Sequence, residues 1–457
     1  MICLFNHHFR RQILVQVLCD LLLIIAAFLG NYLLYVSEQF ATVPATHGLL
    51  LVASLMLINT ASGLYRPTSP SFNQSWARAA LALLFALPMS YIVFSLLPGK
   101  QSSLDEMRWV TMVCVAAIIA HRGYAAHIDR KRNATRSRIL IFGSGASAQL
   151  VARTISAADP RVLIVGYVPG PNETHNIDEG MTLRSVGSLK DKATELKVDE
   201  IVVALAERRG GSMPLRDLLD CKTAGVQVSD LATYFEKMLG QIRIDQLHAG
   251  WLVFGNGFAQ GTARLAVKRV FDVLSSCILL ALAAPLMLIA AMAIKLEGKG
   301  PVFYLQQRVG QHGGLFAVLK FRSMRAGAEK DGVPQWAAVN DSRITRVGAL
   351  IRRIRLDEFP QLFNVLRGEM SLVGPRPERP YFVEQLTREI PFYAVRHSVK
   401  PGVTGWAQVR YQYGATVQDA LEKLQYDLYY VKNHSLFLDI VVLFETISVV
   451  LSGKGAR

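Results

Sequence analysis

Val273-Leu-Ser-Ser-Cys-Ile-Leu-Leu-Ala-Leu-Ala-Ala-Pro-Leu-Met-Leu-Ile-Ala-Ala-Met-Ala-Ile294 is a run of 22 uncharged residues, opened by Lys268-Arg-Val-Phe-Asp272 and closed by Lys295. Its length suits a bilayer crossing, which takes about 20 apolar residues. A full crossing would carry everything after Lys295 to the opposite side. Yet residues 299–330 are basic, with Lys299, Arg308, Lys320, Arg322, Arg325 and Lys330, and basic segments oppose export. Pro285 sits mid-run, where it removes a backbone donor and clashes with the preceding turn. The reading is a re-entrant hairpin over residues 268–295 that dips into the inner leaflet and returns.

Toward the N-terminus, four further apolar runs occupy roughly residues 13–36, 48–65, 79–97 and 109–128, each long enough to span a bilayer. Arg10 and Arg11 precede the first, Arg66 and Arg78 bracket the second link, and Arg122, Arg130, Lys131, Arg132, Arg136 and Arg138 follow the fourth. The positive-inside rule then places both ends of a four-helix transmembrane unit, residues 1–130, in the cytoplasm. Composition agrees. With 51% hydrophobic and 19% charged residues, a disordered chain is excluded. The net charge of +15 is concentrated in residues 261–457, which hold 26 basic against 16 acidic side chains. Such a surface suits phosphates or lipid headgroups. Nucleic acid is disfavoured because membrane segments bracket this basic third. The five cysteines are far apart, with no zinc or redox spacing.

Between these parts, Arg138-Ile-Leu-Ile-Phe142 reads as a buried strand followed by Gly143-Ser-Gly145-Ala-Ser-Ala148 and a helical run. Strand, glycine turn and helix make the dinucleotide fingerprint, in its GxGxxA form. Strands at 162–168 and 199–205 continue the alternation, so residues 131–260 read as a Rossmann-like α/β domain. NAD binding needs an acid at the end of the second strand, and Val162–Pro169 has none. The tyrosine–lysine pair of sugar dehydrogenases is missing too. Gly143 and Gly145 are thus candidate cofactor contacts whose simpler role is the turn itself.

The last third is dense with polar motifs: Gly300-Pro-Val-Phe-Tyr-Leu-Gln-Gln-Arg-Val-Gly310, Phe316-Ala-Val-Leu-Lys-Phe-Arg-Ser-Met324, Arg352-Arg-Ile-Arg-Leu-Asp-Glu-Phe-Pro-Gln-Leu-Phe-Asn364, Arg367-Gly-Glu-Met-Ser-Leu-Val-Gly-Pro-Arg-Pro-Glu378 and Lys400-Pro-Gly-Val-Thr-Gly-Trp-Ala-Gln408. Here the chain resembles the bacterial polyprenyl-phosphate phosphoglycosyl transferases of the monotopic class, which initiate exopolysaccharide and O-antigen assembly. Residues 264–452 carry this resemblance, so 264–457 is read as the catalytic domain, and the whole chain resembles the large form. One departure is Ala284-Pro285 where the family often has Ser-Pro. The resemblance implies a mixed membrane protein: a four-helix bundle, a Rossmann-like domain and an α/β catalytic domain with a re-entrant helix. It also implies the bacterial inner membrane, with the catalytic domain on the cytoplasmic face.

Adjacent carboxylates in a basic surround suit a metal and a nucleophile together. The resemblance implies that Asp357 attacks a UDP-sugar, releasing UMP, that undecaprenyl phosphate then takes the phosphosugar, and that Glu358 binds Mg²⁺. Membrane lipids are further partners, and a homodimer is left open. Arg376 lies between prolines, which suits a phosphate clamp. Lys320 and Arg322 flank Phe321 in a strand-like run and are expected on one face. Arg308 is a further phosphate candidate. Arg352 and Arg353 suit either phosphate or lipid headgroups. Trp406 and the tyrosines at 426, 429 and 430 suit either base stacking or interface anchoring. Asp439 and Glu445 argue for a surface-lying C-terminal helix. Two rivals are a nucleotide-sugar-modifying Rossmann enzyme, which lacks its expected residues, and a non-enzymatic scaffold, which leaves the acid–base motifs unexplained.

Overall fold

The structure, a computed structural model, describes residues 2–4, 7–9, 11–35, 52–56, 58–59, 112–120 and 123, most of 137–244, then 257–258, 261–325, 343–411, 414 and 416–451. It has two compact units. One comprises Arg10–Ile58 and Leu64–Gln246; the other comprises Met1–Phe9, Asn59–Gly63 and Leu247–Arg457.

In the first unit, α1 (Arg11–Tyr35) covers the first apolar run. Its Ile24 carbonyl faces the buried thiol of Cys114. The run at 79–97 lies outside the described residues, and those at 48–65 and 109–128 are described only in part. The four-helix bundle therefore lies outside them as well.

The same unit holds β1 (Ser137–Phe142), α2 (Ala146–Ala158), β2 (Val162–Val168), α3 (Leu189–Glu195), β3 (Glu200–Val203), α4 (Leu215–Thr223), β4 (Gln227–Asp230) and α5 (Leu231–Leu239). The strands form one parallel sheet in the order β2-β1-β3-β4. Successive residues of β1 point to opposite faces, so Leu140 and Phe142 pack with α3 and α4, and Ile139 and Ile141 with α2 and α5. That two-sided cover explains why the strand is apolar without alternation. Gly143 has φ +132, and a Cβ there would lie 2.7 Å from the Ala204 carbonyl oxygen. The close approach of the turn to the chain after β3 is enough to require glycine.

The second unit begins with α6 (Thr262–Glu297), a helix of 36 residues with Pro285 inside it. The hairpin expected at Pro285 is instead one continuous helix, because an apolar helix tolerates the single lost donor. Both its ends are tied to the same α/β body. Near the start, Arg269 donates to the carbonyls of Val365 and Leu366, and Lys268 to Asp439 and the Val373 carbonyl. The Leu372 N–H donates to Asp272. At the far end, Ala290 and Ile294 pack on Phe321, Ile351 and Leu356. Between these anchors Leu274, Ile278, Leu282, Leu286 and Ile289 are all more than half exposed. α6 is the one helix among the described residues long and apolar enough to cross a membrane.

The body on α6 is built from β5 (Phe303–Val309), β6 (Leu315–Phe321), α7 (Arg346–Arg353), α8 (Gln361–Arg367), β7 (Ser371–Val373), β8 (Gly402–Thr404), α9 (Trp406–Arg410), α10 (Val417–Asn433) and α11 (Leu436–Leu451). β5 and β6 form an antiparallel hairpin; β7 and β8 pair in parallel. Thr416 and Asp419 start α10 with a reciprocal capping box. Trp406 is 2% exposed, stacked on Tyr429 and with the Arg410 guanidinium over its ring, and Tyr429 and Tyr430 are buried. Base stacking and interface anchoring are thereby corrected for these three: they are core. Asp439 turns inward, to Lys268 and Tyr430, while Glu445 pairs with Arg410 at a partly exposed position.

Candidate active site

Asp357 and Glu358 lie in a 3-10 turn, Leu356–Glu358, between α7 and α8. The turn is entered through Arg355 in the left-handed region, φ 61, a conformation costing about 1–2 kcal/mol for a residue with a Cβ. Pro360 follows with helical angles and starts α8. Three cations meet at Glu358. Arg376 Nη2 is 2.9 Å from Oε1, Lys320 Nζ from β6 is 3.6 Å from the same oxygen, and Arg355 Nη1 is 3.8 Å from Oε2.

Arg376 sits in a loop with almost no freedom. Four successive carbonyls of Pro375, Arg376, Pro377 and Glu378 accept from Gly402 N–H, Arg396 Nη2, Arg308 Nη1 and Val309 N–H. Arg396 is in turn held by Asp427 and the Tyr393 hydroxyl, all buried. Gly374 and Gly402 let the β7 and β8 ends touch: a Cβ on Gly402 would lie 2.1 Å from the Gly374 nitrogen.

The two acids have opposite electrostatics. Burial pushes Asp357 up to about 6, and the charge of Glu358 adds to the shift. Burial also acts to raise Glu358, but Arg376, Lys320 and Arg355 outweigh it and hold that carboxyl well below the usual range. Burial lowers the Lys320 amine to about 8, opposed by Glu358 and helped by Arg376 and Arg308. Burial likewise lowers Arg308, to about 10. Glu358 is thus a firmly held anion, and Asp357 a carboxylate with little compensation.

The expected site residues divide. Asp357, Glu358, Lys320 and Arg376 come together. Arg352 is in electrostatic reach of Asp357, with a buried Nη1 that makes no hydrogen bond among the described residues. Arg308 faces Gln306 and the Pro377 carbonyl, so it braces the loop. Arg353 is exposed beside Leu350 and Ile354 and does not join. Arg322 is the clear correction. Its guanidinium donates to the carbonyls of Ile294, Gly298 and Lys299, closing the end of α6. Arg322→Ala is expected to cost about 2 kcal/mol of stability, read as a lower melting temperature with little change in substrate KM. Arg396 and Asp427 were not singled out from sequence; 31 residues apart, neither carries a local signal of the other.

Residues 263–453 match the family described as bacterial sugar transferase. A curated protein of Xanthomonas campestris pv. campestris, a UDP-glucose:undecaprenyl-phosphate glucose-1-phosphate transferase, is 33% identical over 356 residues, covering 75% of this chain and 72% of the relative. The chain belongs to the bacterial sugar transferases, the polyprenyl-phosphate phosphoglycosyl transferase family. A second member, the UDP-N-acetylgalactosamine-undecaprenyl-phosphate N-acetylgalactosaminephosphotransferase of Aeromonas hydrophila, is 46% identical over 242 residues. That match covers 53% of this chain and 56% of the Aeromonas sugar transferase, so the chain spans little more than half that relative's length. A third sugar transferase, the UDP-glucose:undecaprenyl-phosphate glucose-1-phosphate transferase of Escherichia coli (strain K12), is 44% identical over 200 residues, 43% of this chain and 42% of the relative.

Proposed function

We propose that this chain transfers a sugar-1-phosphate from a UDP-sugar to undecaprenyl phosphate, releasing UMP, and so initiates an exopolysaccharide or O-antigen. The observation that carries the reading is the pair of neighbouring acids with opposed surroundings, Glu358 ringed by cations and Asp357 left reactive. An Asp357 oxygen attacks the β-phosphorus, the bond from that phosphorus to the bridging oxygen breaks, and UMP leaves with the electron pair. An oxygen of the lipid phosphate then attacks the same phosphorus and displaces Asp357 as a free carboxylate. Arg376 and Lys320, both held at Glu358, are the cations that would stabilise charge spread over the diphosphate oxygens.

The donor set fits Mg²⁺ in a limited way. No group of three or more metal-ligating side chains occurs among the described residues, but Mg²⁺ is commonly held by one or two carboxylates together with substrate phosphates. Glu358 is the side chain that would hold it, and bound there it would neutralise phosphate charge. The exposed apolar middle of α6, between ends tied to one body, supports a helix that enters the inner leaflet from the cytoplasmic face without carrying the chain across. The test is UMP release by the purified full chain from a panel of UDP-sugars. Sustained release is expected only with undecaprenyl phosphate present, and no release from any UDP-sugar would overturn the reading.

A further inference from the structure

We propose that Asn364 is a positioning residue that locks the strand bearing Lys320 in register with the helix that follows Asp357 and Glu358. Asn364 lies on α8 and is fully buried. Its Oδ1 accepts from the Leu319 N–H at 3.0 Å, and its Nδ2 donates to the Ala317 carbonyl at 2.8 Å and to Glu369 Oε2 at 2.7 Å. Only this amide orientation gives the oxygen a donor and the nitrogen two acceptors. The carbonyl of one strand residue and the N–H two positions on project from the same edge. Among the described residues, β6 pairs with β5 along its other edge and with no further strand in its sheet. One side-chain amide therefore does for β6 what a third strand would do.

The position of this tie gives it a role in the reaction. Leu319 precedes Lys320, and α8 begins three residues after Glu358. The apolar cluster of Phe321, Ile351 and Leu356 packs β6 against α7 and the turn that carries Asp357 and Glu358, but apolar packing is non-directional and fixes spacing more than register. A one-residue slip of β6 would turn Lys320 to the opposite face. Glu369 completes the device: it holds the second amide hydrogen, and its own N–H donates back to the Asn364 carbonyl. Aspartate at 364 lacks both donors and would face Glu369 with like charge.

This inference rests on the reading of Lys320 as a phosphate-facing cation, and the experiment separates the two. UMP release is measured for Asn364→Ala, Lys320→Ala and the double variant, with Asn364→Ala plus Arg352→Ala as the comparison pair. If Asn364 acts through Lys320, the double variant is no worse than Lys320→Ala within about threefold, whereas the comparison pair multiplies. Hydrogen exchange at residues 315–321 quickens, while 424–431 stay protected. Multiplying losses at Asn364 and Lys320 overturn the proposal. Should Asn364→Ala not fold, Asn364→Gln, which keeps donor and acceptor one methylene further out, enters the same cycle. If the wild type releases no UMP, the transferase reading falls and exchange alone decides, with unchanged rates at 315–321 overturning the register tie.

Discussion

Asp357→Asn is expected to lower turnover by about 10⁴-fold or more, the scale of loss when a nucleophile is removed, and to abolish any covalent intermediate. Asparagine keeps the size and one oxygen but cannot form an acyl phosphate. The two acids are not interchangeable here. Glu358 has its charge absorbed by Arg376, Lys320 and Arg355, which makes it a poor attacking group. Asp357 is half-buried with little compensation and is raised to about 6, so it is ionised at neutral pH yet weakly held. Enzyme given radiolabelled UDP-sugar without lipid should retain about one label per chain through denaturation, with about one UMP released. Asp357→Asn should retain none, and Glu358→Gln should label slowly, with some recovery at high Mg²⁺. Label persisting in the asparagine variant would move the nucleophile elsewhere. A wild type that never holds label would favour direct attack by the lipid phosphate.

The acid pair proposed to carry the reaction was readable because the motif around it is continuous: arginines, Asp357, Glu358 and Pro360 within nine residues. Lys320 was legible from strand alternation, and the structure puts its amine 3.6 Å from Glu358. The same alternation misplaced Arg322. β6 ends at Phe321, so the two-residue period no longer directs residue 322, and α6 offers unpaired C-terminal carbonyls nearby. Trp406 suited either base stacking or interface anchoring on its residue type alone. What buries it is Tyr429, 23 positions away, and spacing alone does not reveal that neighbour. The α6 run was legible by length and charge, but Pro285 overstated the break. In the first unit, strand, turn and helix around Gly143 were readable. The reason for the glycine is the Ala204 carbonyl, which only the sheet order β2-β1-β3-β4 brings close.

Arg376→Ala should lower kcat/KM by about 10²–10³-fold, the range seen when one preorganised donor to a developing charge is lost. Arg376→Lys should recover little of it. Two effects combine in the alanine variant. The guanidinium 2.9 Å from Glu358 disappears, leaving a buried carboxylate with Lys320 and Arg355 alone, and the donor fork for a phosphate goes with it. Lysine restores a charge but not the planar pair of donors. It also cannot find a better place by shifting the backbone, because each carbonyl from Pro375 to Glu378 is already bonded to β5, β8 or Arg396. A loop this fixed makes the length and shape of the side chain decisive. Arg396→Lys tests that logic from behind. It keeps a cation for Asp427 but forfeits the forked contact to Asp427, Tyr393 and the Arg376 carbonyl, so the loop under Arg376 should loosen and kcat should fall although the Arg376 side chain itself is unchanged. If Arg376→Lys turns over at the wild-type rate, a point charge suffices at this position, and the rigidity of the loop serves folding alone.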